Sequence, residues 1–323
     1  MLLQRQSANW RRVAVGLMLG IAAVSAGAAP LAKPRQIPDE AKRLAGAWDI
    51  TVAMPKGEAY SWLEVNRSGA TLVGRFVGRV GSARPISRVE FSQGIVRFAM
   101  PRQYEDRELQ FEGKLDGDRL SGTVTGYDKM PCAWTAKRAP LLRRNRPPKW
   151  GRPIALFNGA NLDGWQTQGA ESHWVVQDGL LANARDGANL VSTPKFEDFK
   201  LHAEFRYPKG SNSGIYLRGR YEVQIEDDEG TDVNVHTIGG IYGFFAPCIR
   251  AAKKPGEWQT YDITLVGRVA TVVLNGETVV DRQTIPGITG GALDADEGSP
   301  GPILIQGDHG RIEFRKIVIT PAE

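Results

Sequence analysis

Short runs in which apolar and polar residues alternate recur along most of the chain. In the clearest run, Phe199–Tyr207, the odd-numbered positions are apolar and the residues between them are polar. A period of two residues is that of a β-strand with one buried face. No run of useful length has the period of an amphipathic helix, and the 37 glycines and 19 prolines favour turns. The sequence therefore predicts an all-β protein.

The first group of runs predicts a small antiparallel domain over residues 41–140. It opens with Gly46-Ala47-Trp48, which is similar to the start of lipocalin-type barrels, and Asp116-Gly117 is a hairpin-turn signal. We expect strands at Trp48–Met54, Trp62–Asn66, Thr71–Val77, Val89–Phe91, Ile95–Met100, Leu109–Leu115, Leu120–Thr125 and Ala133–Ala136. Strands this short and numerous predict a small β-barrel or sandwich, and the residues do not indicate its function.

The second group of runs lies in residues 153–323, after a basic, proline-containing linker at residues 141–152. We expect the linker to be semi-rigid and solvated, with binding of a polyanion as the alternative. Strands are expected at Phe199–Tyr207, Gly214–Leu217, Tyr221–Glu226, Tyr261–Val266, Ala270–Leu274, Thr278–Val280, Ile303–Gln306 and Ile312–Ile319. These strands predict a two-sheet β-sandwich of the jelly-roll type.

The first 28 residues have the pattern of a secretory signal peptide. Arg5, Arg11 and Arg12 form a positively charged n-region. The apolar stretch Val13–Val24 follows it, and Ala26-Gly27-Ala28 fits the cleavage site. We therefore expect a periplasmic or secreted protein with no stable membrane insertion after cleavage. A retained N-terminal anchor is the alternative interpretation.

Composition and charge exclude several classes of protein. Hydrophobic residues make up 41% of the chain and charged residues 24%, a balance that excludes disorder and a polytopic membrane protein. Without the three leader arginines, 38 basic residues face 36 acidic ones, so we expect no nucleic-acid partner. Cys132 and Cys248 are the remaining cysteines, and we favour two free thiols over a disulfide.

Ordered segments of the second unit resemble those of one bacterial family. The segments are Leu156-Phe157-Asn158-Gly159, Leu162-Asp163-Gly164-Trp165, Asn212-Ser213-Gly214-Ile215-Tyr216-Leu217-Arg218, Tyr221-Glu222-Val223-Gln224-Ile225, Gly239-Gly240-Ile241-Tyr242-Gly243, Gly256-Glu257-Trp258 and Pro302-Ile303-Leu304-Ile305-Gln306 with His309-Gly310. They resemble the 3-keto-disaccharide hydrolase family, also described as a 3-keto-glucoside-1,2-lyase and 3-keto-2-hydroxy-glucal hydratase domain. The resemblance covers about residues 153–320, with departures at Gln259 and Lys316.

This resemblance implies a concanavalin-like sandwich that acts on an oligosaccharide or another sugar already oxidised at C3. A C3 ketone acidifies the proton on C2, so a base can remove it and the C1 substituent can leave by β-elimination. Water can later add across the resulting glucal. Such a site needs a proton-transfer group with a pKa near 7 and donors for the enolate oxygen. No cofactor is indicated with certainty, and a divalent cation stays open.

Three residues are candidates for proton transfer: His309, Glu222 and Asp308. His309 follows Asp308 in a glycine-flanked turn, and histidine is the natural proton shuttle near neutral pH. A turn histidine that is merely capped by Asp308 is the alternative, as is an ordinary solvated strand face for Glu222. The residues expected to bind substrate are Arg218, Gln224, Tyr242, Asn212, Gln306 and Lys254.

Two other functions compete with the lyase or hydratase. A non-catalytic carbohydrate-binding protein is the main alternative, because sandwiches host both roles. A conventional glycoside hydrolase using Glu222 and Glu226 is weaker, since four residues of strand span about 13 Å and a retaining pair needs about 5–5.5 Å. The acidic segment Asp227-Asp228-Glu229 is expected to be solvated rather than a calcium loop. Because the resemblance begins after the linker, we expect the second unit alone to carry the chemistry.

Overall fold

A computed structural model describes residues 39–127 and 130–323, so the predicted signal peptide lies outside the described residues. Apart from one helical turn, α1 (Asp39–Lys42), every regular element is a strand, which confirms the all-β prediction. None of the helices in the described segments is long and apolar enough to cross a membrane.

Eight antiparallel strands near the start of the described chain close into a barrel. The barrel closes where β1 pairs with β8, with Trp48 opposite Arg138 and Val52 opposite Trp134. The strands are β1 (Gly46–Met54), β2 (Gly57–Ser68), β3 (Thr71–Val77), β4 (Arg84–Ser92), β5 (Ile95–Met100), β6 (Leu109–Asp116), β7 (Arg119–Thr125) and β8 (Cys132–Arg138). Each of the eight strands expected from the alternating pattern is present.

Aromatic side chains fill the barrel interior. Phe98 and Phe111 stack with ring centroids 4.7 Å apart, and Phe76 and Trp134 pack against them. Trp48 is fully buried and donates its indole N–H to the Leu44 carbonyl at 2.9 Å, so it plugs the core as expected. Close packing of these rings stabilises the barrel.

The second half of the chain forms a two-sheet sandwich. One sheet has five strands in the order β10-β13-β20-β15-β16, and the other has the order β11-β12-β21-β14-β17-β18-β19, with β9 added beside β21. The strands are β9 (Ile154–Ala155), β10 (Trp165–Gln168), β11 (Trp174–Gln177), β12 (Leu180–Asn183), β13 (Asn189–Phe196), β14 (Phe199–Arg206), β15 (Asn212–Leu217), β16 (Tyr221–Glu226), β17 (Gln259–Val266), β18 (Val269–Leu274), β19 (Glu277–Thr284), β20 (Gly301–Ile305) and β21 (Ile312–Pro321).

The alternating pattern of β14 sets one side of the sandwich core. Phe199, Leu201 and Phe205 are fully buried, and the Phe205 ring lies 4.8 Å from that of Tyr261. Burying each large apolar side chain contributes roughly 1.5–3 kcal/mol. β9–β13 were not expected from the sequence, because most of them are only two to four residues long and too short to show a period.

The barrel and the sandwich pack into one compact unit. Trp62 of β2 belongs to the sandwich core and meets the Phe244 ring edge-on at 5.4 Å. A Cβ at position 287 would lie 2.2 Å from the Trp62 ring, so Gly287 is needed for this contact. None of residues 141–152 is buried, which fits a solvated linker, and Arg144 anchors this segment by pairing with Asp198 at 2.6 Å and with Glu197 at 2.6 Å.

Candidate functional site

A cavity of about 380 Å³ lies over the five-stranded sheet, on the face that points away from the sandwich core. It brings together seven of the nine residues that the sequence singles out. These are Asn212, Glu222, Gln224, Tyr242, Gln306, Asp308 and His309. Asn212, Glu222 and Gln224 lie on the β15–β16 hairpin. The residues at 306–309 lie between β20 and β21, and Tyr242 lies between β16 and β17.

The β15–β16 hairpin sets which side chains face the cavity. Its register pairs Tyr216 with Glu222 and Gly214 with Gln224. Ile215 lies in the sandwich core, so the alternation of the strand turns its neighbours Gly214 and Tyr216 to the cavity side. Sequence analysis missed Tyr216 as a site residue, although it shares this face with Glu222.

Glu222 is a buried carboxyl group, with 3% of its surface exposed. Its carboxylate packs against Gly214 of β15. A Cβ added at Gly214 would lie 2.3 Å from Glu222 Oε1, so there is room for the carboxylate only because position 214 is a glycine. Burial raises the pKa of Glu222 to about 8, while the Tyr216 hydrogen bond and the charge of His309 oppose this shift. The group can therefore exchange a proton near neutral pH.

Tyr216 links Glu222 to the backbone. Its hydroxyl lies 2.8 Å from Glu222 Oε2 and 2.9 Å from the Gly290 carbonyl oxygen. A hydroxyl has one proton to donate, so it serves the Gly290 carbonyl when Glu222 is protonated and can donate to Glu222 when that group is ionised. Burial, with Glu222 nearby, holds the pKa of Tyr216 well above 10, so the phenol stays neutral.

His309 and Asp308 form the second proton-transfer unit. Nδ1 of His309 lies 2.7 Å from Asp308 Oδ1, and both side chains are about half exposed. The hydrogen bond that His309 Nδ1 donates to Asp308 is the main cause that raises the pKa of His309 above 6.5. With Nδ1 engaged, Nε2 is the ring nitrogen available for proton exchange with a ligand.

Two asparagines hold the turn that carries His309. Asn183 Nδ2 donates to the Gly307 carbonyl at 2.8 Å and to the Gly310 carbonyl at 3.0 Å. Gly307 N–H donates to Asn189 Oδ1 at 2.9 Å. These residues were missed in the sequence because they lie on β12 and β13, two of the strands that it does not reveal.

Two carboxamides present oxygen atoms for a polar ligand. Gln224 Oε1 and Gln306 Oε1 are buried and have no hydrogen-bond partner among the described residues. Gln224 Nε2 donates to Glu226 Oε2 at 3.2 Å, which fixes the amide while leaving its oxygen free. Buried polar atoms are nearly always paired, so an unpaired oxygen at a cavity indicates a place for a donor such as a hydroxyl group.

The structure places Arg218 and Lys254 elsewhere, which corrects two expectations. Arg218 sits at the hairpin turn with φ of 54°, is fully buried, and donates to the Tyr221 hydroxyl at 2.9 Å. The turn aims its guanidinium group into the core rather than into the cavity. Lys254 lines a separate cavity of about 400 Å³ beside Asp228 and Arg250.

The barrel also lines the site, although every candidate proton-transfer residue lies in the second unit. The cavity is lined by Val80, Gly81 and Tyr104 in addition to the residues of the β15–β16 hairpin. They lie on the β3–β4 and β5–β6 loops. No local pattern in the sequence connects these loops with residues more than a hundred positions later.

The donor set does not fit a resident metal ion. Across residues 39–127 and 130–323, no three His, Cys, Asp or Glu side chains come together as metal ligands. In the acidic segment, Asp227 accepts the Gly210 N–H at 2.7 Å and Asp228 lies 3.6 Å from Arg250. Cys132 and Cys248 are both free thiols.

Comparisons with known proteins find a curated relative and several solved structures that are similar to parts of this chain. The chain is 34% identical over 92 residues to a 3-keto-disaccharide hydrolase of Bacteroides thetaiotaomicron, a match that covers 25% of this chain and 31% of that relative. A solved structure from Parabacteroides distasonis, assigned provisionally to the glycosyl hydrolases, is 30% identical to this chain, with a TM-score of 0.45. The match covers 55% of this chain and 92% of the solved chain. A further solved protein of that organism, assigned in the same way, is 27% identical and covers 52% and 98%, with a TM-score of 0.42.

The family match extends across the whole sandwich. Residues 152–320 match the family described as a 3-keto-alpha-glucoside-1,2-lyase-like domain. This range includes β9–β20, nearly all of β21 and every candidate catalytic residue. Because the match covers more than half of the 323 residues, the chain belongs to the 3-keto-alpha-glucoside-1,2-lyase-like family.

Proposed function

We propose that the protein is a carbohydrate-active enzyme that cleaves 3-keto-glycosides by β-elimination across C1 and C2 and then hydrates the glucal. The observation that carries this proposal is the pairing of two proton-transfer groups in one cavity. Glu222 is buried with its pKa raised to about 8, and His309 faces the same cavity with its pKa raised above 6.5. Family membership supplies the substrate class.

The charged forms of the two groups stabilise each other. The positive charge of His309 lowers the pKa of Glu222, and the negative charge of Glu222 raises that of His309. The cavity can thus hold a carboxylate and an imidazolium at the same time, although burial opposes the carboxylate. A base and an acid with pKa values near the working pH are what an elimination requires.

In the proposed elimination, ionised Glu222 takes the proton from C2 of the 3-keto ring. The electron pair of the C2–H bond forms the C1–C2 double bond, the C1–O bond breaks, and His309 Nε2 gives a proton to the leaving oxygen. The products are a 3-keto-2-hydroxy-glucal and the free alcohol. In the hydration step, neutral His309 takes a proton from water as the water oxygen bonds to C1, and protonated Glu222 gives its proton to C2. This gives the 3-keto sugar and returns both groups to their starting protonation states.

Neutral groups around the pair would hold the substrate. The unpaired oxygens of Gln224 and Gln306 accept sugar hydroxyls, and Asn212 and Tyr242 line the same cavity. Tyr216 donates to ionised Glu222 and so stabilises the base before the proton arrives. Binding by neutral donors and acceptors suits an uncharged sugar, because no buried charge is left without a partner.

A conventional glycoside hydrolase is less consistent with the site. Glu222 lines the cavity and Glu226 does not, and the Gln224 amide is hydrogen-bonded to Glu226. The carboxylate pair of such an enzyme has to flank one glycosidic bond. A non-catalytic binding protein would use Gln224 and Gln306 but would not need the Glu222 and His309 pair.

Turnover of matched substrates tests the proposal. The full chain is incubated with a 3-keto-disaccharide and, separately, with the unoxidised parent disaccharide, and products are followed by mass spectrometry. We expect cleavage of the keto form and none of the parent. Cleavage of the parent alone would favour a conventional hydrolase, and tight binding of the keto form without turnover would favour the binding protein.

A further inference from the structure

The β5–β6 loop of the barrel carries an exposed aromatic residue at the mouth of the cavity. Tyr104 is 63% exposed and lines the cavity together with Val80 and Gly81. Exposed aromatic residues at the rim of a polar cavity are frequent contacts for ligands. Tyr104 is therefore a candidate ligand contact on the barrel.

A buried ion pair fixes the backbone around Tyr104. Arg84 and Glu105 lie 2.7 Å apart with side chains 8% and 11% exposed, and Glu105 Oε2 accepts the N–H groups of Gln103 at 3.0 Å and Tyr104 at 3.2 Å. Burial alone would raise the pKa of Glu105, but Arg84 and the backbone donors lower it. Glu105 therefore stays ionised and holds the loop. Because the backbone is already fixed, binding at Tyr104 does not add the entropy cost of ordering the loop.

The neighbouring β3–β4 loop joins this arrangement to the sandwich. Ser82 N–H donates to Gln103 Oε1 at 2.9 Å, and the Ser82 hydroxyl is hydrogen-bonded to His236 Nε2. A Cβ at position 243 would lie 2.7 Å from Ser82 Cα, so Gly243 permits the close approach. The barrel loops are therefore held against the site by specific contacts.

Tyr104 lines the same cavity as Tyr242 of the sandwich. The Tyr242 N–H donates to the Glu222 carbonyl at 3.0 Å, and its ring packs against His236 with centroids 5.0 Å apart. The cavity therefore has one tyrosine fixed on the sandwich and a second, exposed one on the barrel loop.

We propose that Tyr104 of the barrel forms a second sugar subsite, which binds the ring attached to C1 of the reacting 3-keto sugar. This inference rests on the proposed function. The reacting ring has to contact Glu222 on the sheet, so its C1 substituent extends toward the open side, where Tyr104 lies. A pyranose presents an apolar C–H face that packs on an aromatic ring and hydroxyls that bond to the phenol. The ligand class is an uncharged hexopyranose leaving group.

Two substrates with different leaving groups test the subsite. We measure kcat/KM of the full chain and of Tyr104→Ala on a 3-keto-disaccharide and on the corresponding methyl 3-keto-glucoside. We expect Tyr104→Ala to lose about tenfold on the disaccharide, the usual worth of an aromatic contact, and to change little on the methyl glycoside. Tyr104→Phe should retain most of the disaccharide rate if stacking dominates.

Asp106→Ala is the matched control, since Asp106 is exposed on the same loop and outside the cavity. Equal losses on both substrates in Tyr104→Ala, or no loss on the disaccharide, would overturn the proposal. Dissociation constants from calorimetry separate this test from the proposed function. If the unaltered chain turns over neither substrate, weaker binding of the disaccharide alone by Tyr104→Ala still supports the subsite, and unchanged binding overturns it.

Discussion

The barrel and the sandwich treat the outward face of a sheet in different ways. On the barrel, outward charged residues stay in water, as in the exposed pair Arg97 and Glu112. On the five-stranded sheet of the sandwich, the outward face buries Glu222 and Gln224 beneath loops. Burying polar groups costs free energy unless they find partners. At the cavity over this sheet, Gln224 Oε1 keeps part of that cost, because it has no partner among the described residues.

A second buried acid makes the comparison sharper. Asp49 of the barrel strand β1 is 2% exposed, and burial followed by the nearby Glu297 raises its pKa to about 9. Glu297 is fully buried and accepts a hydrogen bond from the Tyr221 hydroxyl. Asp49 thus lies close to Glu297 of the sandwich and also lines a cavity of about 330 Å³ whose lining includes no histidine. A raised pKa beside a cavity therefore does not define a catalytic site by itself, and Glu222 differs from Asp49 in sharing its cavity with His309.

The largest effect is expected from removing the ionisable group at the cavity. Glu222→Gln should lower kcat on a 3-keto-disaccharide by about 10²–10⁴, the usual worth of a positioned base. Glu226→Gln, on the same strand and outside the cavity, keeps an oxygen that can accept from the Gln224 amide and should leave kcat nearly unchanged. Initial rates with both purified variants measure this. Equal losses in the two variants would mean that the strand as a whole matters and Glu222 has no special role.

A smaller effect is expected from crowding Glu222 without changing it. Gly214→Ala puts a Cβ within 2.3 Å of Glu222 Oε1, so the carboxyl group has to move. Overpacking of this kind costs about 1–3 kcal/mol of stability, and displacement of the base should lower kcat roughly tenfold or more.

Gly298→Ala is the control for this change, since a Cβ there meets nothing within 4 Å. Thermal unfolding and kcat are measured for both variants. A Gly214→Ala protein with the activity and stability of the unaltered chain would show that Glu222 does not need its position over β15.

The smallest effect concerns stability as a function of pH. The folded-state pKa values of Glu222, about 8, and Asp49, about 9, lie above the ordinary values of 4.5 and 3.8. Below the ordinary values both folded and unfolded states are protonated. As pH rises toward the folded-state values, only the folded state holds the proton, so folding loses stability, on the order of 1.4 kcal/mol per pH unit for each group at most.

Glu222→Gln and Asp49→Asn should each remove part of this loss. We expect the melting temperature of both variants, relative to the unaltered chain, to rise between pH 5 and pH 9. Asp49→Asn should do so with kcat unchanged, whereas Glu222→Gln should be inactive. A variant that is less stable at pH 9 than at pH 5, relative to the unaltered chain, would contradict the raised pKa at that site.

The sequence predicted the fold where the chain repeats a clear pattern. Phe199–Tyr207 shows its buried face in every second residue, and the strand β14 follows it closely. The sequence could not predict β12, because its four residues are too few to show a period. Asn183, the last residue of β12, was therefore not predicted as a site residue. Tyr216 could have been found by pairing β15 with β16 in register. Tyr104 could not, because its place depends on how the barrel packs against the sandwich.

The fate of the hydrogen at C2 tests the elimination most directly. The full chain is incubated in ordinary water with a 3-keto-disaccharide that carries deuterium at C2, and the sugar products are analysed by mass spectrometry and NMR. Substrate kept without enzyme and with Glu222→Gln corrects for spontaneous exchange next to the ketone. We expect slower turnover than with the protonated substrate and enzyme-dependent loss of deuterium from C2. Retention of all deuterium at C2 in the product, at an unchanged rate, would contradict elimination and favour direct hydrolysis.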